Sequence, residues 1–170
     1  MTMAHRPIDV YLNDHLAGAT FGADLAREIE ASTEGLEFGS EMTRLASEIE
    51  EDLDTLTDLM DRLGVTRNPA KRVAGWVAEK ASRLKLTGLT STDDELGTFL
   101  SLEALSLGVE GKAALWTTLG EVRGNYPALM SSDLDELLRR AERQREALEV
   151  ARIAIATRAL TTEVTTEVDA

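Results

Sequence analysis

The chain of 170 residues contains no cysteine, which excludes disulfides, thiol nucleophiles and thiolate-bound metal. Histidine is nearly as scarce, with only His5 and His15. No run approaches the roughly 18 apolar residues that a membrane span requires. Met1 to Val10 lacks the basic-then-apolar order of a secretory signal. These absences point to a cytoplasmic chain with no membrane partner. No stretch alternates apolar and polar residues as a strand would, and there is no internal repeat or low-complexity region.

What is present is helical periodicity, in a chain long enough to bury a core as one domain. The net charge of -13 disfavours nucleic acid as a partner. That charge is uneven. Between Val65 and Lys85, six basic residues (Arg67, Lys71, Arg72, Lys80, Arg83, Lys85) face one acid, Glu79, a local charge of +5. This segment is either a solvated face or a docking element for an acidic surface.

Pro7 suits the first position of a helix carrying Ile8, Leu12, Ala19, Ala23 and Ala26 on one face and ending by Gly35. Met42, Leu45, Ile49, Leu53, Leu56, Met60 and Leu63 recur at steps of three and four, giving a second amphipathic helix closed by Gly64. Its other face is acidic, with Glu48, Glu50, Glu51, Asp54, Asp58 and Asp61. Asn68-Pro69 opens a short helix running to about Lys85. Thr92 to Glu95 forms a capping box for a third long helix, which is apolar on nearly every side and is therefore central or covered by another subunit. Gly124 to Pro127 is a turn, and Ser131 or Ser132 caps a last helix with Leu134, Leu137, Leu138, Ala141, Leu148, Ile155 and Ala159 buried.

Two helices that fold back on each other bring together residues whose numbers have a constant sum. A sum of 71 turns the first pair at Gly35 and matches Ile8 with Leu63, Ala26 with Leu45, and Ile29 with Met42. A sum of 255 turns the last pair at Tyr126 and matches Leu100 with Ile155, Leu107 with Leu148, and Ala114 with Ala141. The connection from 64 to 93 is long enough to cross the bundle, so the third helix can run parallel to the second. The expected architecture is all-α: a ferritin-like antiparallel four-helix bundle with a short fifth helix in the crossover between helices two and three. Residues 1–160 form the single domain and 161–170 a flexible tail. The stretches Tyr11 to Gly18, Glu79 to Leu86 and Leu102 to Lys112 also resemble an uncharacterised bacterial, actinobacterial-type ferritin-like family. That resemblance covers most of the chain and implies the bundle fold, with no catalytic residues attached to it.

Ferritin-like iron enzymes present carboxylates and two Glu-x-x-His pairs. Neither His5 nor His15 follows a glutamate by three residues, so this ligand set cannot be built. An atypical iron or manganese site could combine His15, Asp52, Glu103 and Glu110. Against it, the sum of 255 pairs Glu103 with Arg152 and Glu110 with Arg145, which would neutralise both glutamates. His15 on its own reads as a core histidine partnered by Asp52. Trp76 and Trp116 read as packing anchors, and Gly108 and Gly111 as points of close helix contact.

The primary reading is a non-catalytic bundle that acts by self-association or through a protein partner, with no cofactor. A metal-binding protein of the iron-handling or oxidative-stress type is the alternative, and a small-molecule carrier a third.

Overall fold

The computed structural model describes residues 6–67 and 94–161. Among these, four long helices pack together and no strand occurs. They are α1 (Pro7–Ser32), α2 (Gly39–Arg62), α3 (Asp94–Val122) and α4 (Leu134–Thr161). The short helix expected after Pro69 and the capping box at Thr92 lie outside the described residues, as does the tail beyond Thr161.

α1 starts with Pro7 in its first turn. The Arg6 backbone N–H donates to Asp9 Oδ2 at 3.2 Å, and Arg6 Nη2 reaches the Leu63 carbonyl at 3.0 Å. The start of α1 is thereby tied to the end of α2. At the opposite end, Gly35 takes φ +81, a left-handed conformation that favours glycine. Thr33 is fully buried there, its hydroxyl donating to the Ile29 carbonyl at 2.8 Å. α2 ends in a Schellman motif: Gly64 (φ +65) donates to the Asp61 carbonyl and Val65 to that of Met60, with Val65 packed into the core.

Directions follow from side-chain pairs. Glu103 and Arg152 approach to 3.4 Å and Glu110 and Arg145 to 2.9 Å, both at a sum of 255, and Glu95 pairs with Arg158 about two turns further out. α3 and α4 are therefore antiparallel. Arg62, at the end of α2, donates to the hydroxyls of Ser131 and Ser132 at 2.7 and 2.9 Å. Asp52 in mid-α2 meets Arg140 in α4, so α2 and α4 are antiparallel too. α2 and α3 then run the same way on opposite corners, and α1 lies between them, packed on both.

Three expectations are corrected. Ser131 and Ser132 are engaged by Arg62, and the cap of α4 is Asp133, whose Oδ1 accepts the Glu136 N–H at 2.9 Å. Leu107 does not face the fully buried Leu148: it is 69% exposed. Residues 102, 105, 109 and 116 define the inward side of α3, and at 100° per residue Leu107 points the other way. Gly108 and Gly111 make no close helix contact either, since a Cβ added at each would meet nothing within 4 Å.

Gly39 is the opposite case. A Cβ there would lie 2.5 Å from the Thr33 carbonyl oxygen, a backbone atom held by the turn and unable to retreat. Gly39→Ala is expected to lower stability by about 1–3 kcal/mol. In contrast Gly18→Ala, with open space around it, is expected to raise stability by up to about 1 kcal/mol. Thermal melts of the two variants provide the check.

Candidate functional site

Each of three helices interrupts its buried stripe with one polar residue, and the spacing is the same every time. Asp52 sits three residues after Ile49 and four before Leu56. Lys112 sits likewise between Val109 and Trp116, and Gln144 between Ala141 and Leu148. Packing brings all three into one layer. Lys112 Nζ donates to Asp52 Oδ2 and to Gln144 Oε1, both at 2.5 Å. Gln144 Nε2 donates to Asp52 Oδ2 at 3.2 Å and to Glu48 Oε2 at 3.1 Å. Arg140 closes the group, giving Nη2 to Asp52 Oδ1 and Nη1 to Glu51 at 2.9 Å.

Asp52 is 3% exposed and Gln144 not at all, so the layer is close to dry. Burial drives Lys112 below the ordinary lysine range, and the neighbouring Asp52 carboxylate works in the opposite direction. Both Asp52 oxygens are occupied by cationic donors. Such a carboxylate ties three helices together, with three donors on its two oxygens.

The residues considered as metal ligands do not converge. Asp52 belongs to this network. Glu110 and Arg145 form an ion pair with side chains 61% and 53% exposed, and Glu103 lies half-exposed beside Arg152. Arg145 is thus on the surface, and its pair with Glu110 lies at the rim of the hairpin. Pairs this exposed contribute between about 0 and 1 kcal/mol. His15 makes no hydrogen bond with Asp52. It is half-buried, and its ring meets that of Tyr11 edge-on, with centroids 4.6 Å apart. Among the described residues no three His, Cys, Asp or Glu side chains are grouped so as to hold a metal ion.

The better-formed surface hollows lie outside the bundle interior, one against Arg145, Glu146, Glu149 and Val150, the other at the turn between α1 and α2. Trp116 is buried in the core, 1% exposed, and Trp76 lies outside the described residues. Among those residues no helix is long and apolar enough to cross a membrane. No family model, curated protein or solved structure matches the chain.

Lys112 and Gln144 are the stripe residues of this layer that periodicity alone did not single out. The signal was available, because each occupies a stripe position at apolar spacing, but only packing reveals that the three interruptions share one level.

Two outcomes are expected. Asp52→Ala leaves the buried Lys112 without its ion-pair partner and Arg140 with Glu51 alone, and should cost roughly 3–5 kcal/mol, whereas Asp52→Leu combined with Lys112→Met should cost clearly less. Chemical denaturation of the single and double variants measures this difference. His15 is held below its ordinary value of 6.5 by burial, with Asp14 opposing. The unfolded chain therefore takes up the imidazole proton first as pH falls, and stability is lost going down through 6.5. His15→Gln should flatten that part of the acid limb of a melting-temperature profile.

Proposed function

We propose that this chain is a ferritin-like bundle of the actinobacterial type, cytoplasmic, that works by association with itself or with another protein and not by catalysis. The observation carrying this reading is the set of large aliphatic side chains left outside a complete core. Leu107 is 69% exposed, Val150 68%, Leu160 63% and Ile153 56%, all on the two C-terminal helices, with Met130 at 67% in the turn between them and Val10 at 36% on α1. Exposed apolar residues scattered singly need no explanation. These four, on one hairpin of a molecule whose charge keeps most of its surface wet, mark a contact region. The direction of the helices supports the ferritin-like topology, since α2 and α3 run parallel and a long connection must return between them.

The buried charge layer supports a non-catalytic role: both Asp52 oxygens already face cations, and Glu103 and Glu110 each face an arginine. Sedimentation across a concentration series is expected to give a mass above the 18.5 kDa of one chain. A monomer at roughly 100 µM would remove self-association, given the affinities typical of specific complexes. Metal analysis of protein purified without chelators separates the iron or manganese reading. Near-stoichiometric metal, lost on replacing Glu103 or Glu110, would sink the proposal.

A further inference from the structure

The two hairpins meet along two seams of different make. At the α1–α3 seam, Gly22 brings α1 against an apolar side chain: a Cβ there would sit 3.9 Å from Leu105 Cδ1, in ordinary van der Waals contact. α2 and α4 touch far less than α1 and α3 do, and long polar side chains span the space between them. Arg140 reaches Glu51 and Asp52, Gln144 reaches Glu48 and Asp52, and Arg62 reaches Ser131 and Ser132. Exposure rises steeply across this seam. Gln144 is fully buried, whereas the Arg140 side chain is 19% exposed and that of its partner Glu51 67%. Water thus stands one side chain away from the buried carboxylate.

The two seams differ in what is lost when they part. Separating α1 from α3 exposes apolar surface, which is unfavourable, with no compensating term. Separating α2 from α4 exposes apolar surface too, but it restores hydration to Asp52, Lys112 and Arg140. That lost hydration is the reason a buried ion pair contributes little net stability. Two more groups gain. Trp116 Nε1 and Arg140 Nε are buried with no acceptor from the protein, and an unsatisfied buried donor disfavours the closed form. Partial openings of a folded chain follow the boundary where least is lost.

We propose that the charge layer is a latch: the bundle opens along the α2–α4 seam, with the two hairpins turning about the α1–α3 contact. The latch fixes the closed alignment without holding it strongly. It goes beyond the association reading and does not depend on it. Single cysteines in the full chain, which has no other, test it through labelling by a soluble thiol reagent. Leu59→Cys, seven residues after Asp52 on α2, reports the seam. So does Ala151→Cys, which at 100° per residue points between Arg140 and Gln144. Leu105→Cys reports the α1–α3 contact. All three positions are buried. Each labelling rate is divided by the rate that global unfolding of the same variant permits, taken from its denaturation curve, so unequal damage to the fold cancels. Both seam cysteines should exceed that limit about 100-fold, with Leu105→Cys at the limit. Equal ratios at the three positions, or a faster Leu105→Cys, overturn the proposal. An excess at only one seam position is fraying of that end and overturns it too. Adding Asp52→Leu and Lys112→Met to Ala151→Cys should remove most of the excess, because those two positions then regain no hydration on opening. An excess that this double substitution leaves unchanged overturns the latch.

Discussion

A carboxylate cannot stay ionised in a dry layer unless cations reach it, and that demand on Asp52 organises this bundle. Lys112 comes from α3 and Arg140 from α4, with Gln144 adding a third donor. Only one mutual height of α2, α3 and α4 satisfies all of them. Apolar stripes alone would let the α1–α2 hairpin slide by a turn against the α3–α4 hairpin at modest cost, because leucine packs against leucine at several registers. Buried ion pairs are weak contributors to net stability but good specifiers of alignment. The network also joins α2 to α4, which touch far less than the partners within each hairpin do. Arg62 with Ser131 and Ser132 is the second tie across the same seam.

The placement of charge divides the molecule into two kinds of surface. α1 and α2 present acidic outer faces broken by short ion pairs such as Arg44 with Glu41 and Glu48. α3 presents a neutral, small-residue strip edged by Glu103–Arg152 and Glu110–Arg145. Those edge pairs matter little to the stability of one copy, being exposed. They matter more to what can approach, because paired charges neither repel a like-charged molecule strongly nor demand burial of a lone ion.

Much of the fold was legible before any packing was known, and for a specific reason. Helical periodicity is a local property, so the start of α1 at Pro7, the stop of α2 at Gly64 and the stripe from Met42 to Met60 could be read from neighbours three and four residues apart. The antiparallel register of α3 and α4 was legible too, since a sum of 255 is a one-parameter fit, and Glu103–Arg152 and Glu110–Arg145 satisfy it. The same reasoning misplaced Leu107, because α3 has apolar residues all round and periodicity could not choose its inner side. It also put the cap of α4 at a serine that Arg62 instead uses, a contact spanning about seventy positions.

The sequence by itself determined that the described chain would be helical, where most helices begin and end, and the antiparallel register of the last hairpin. All of these depend on contacts a few residues apart or on one turn. The tertiary structure alone decided that Asp52, Lys112 and Gln144 meet at one level, that His15 turns to Tyr11, and that Leu107 faces out. These depend on the relative rotation of helices distant in the chain, a quantity set by the sum of many weak packing terms and one strong electrostatic requirement.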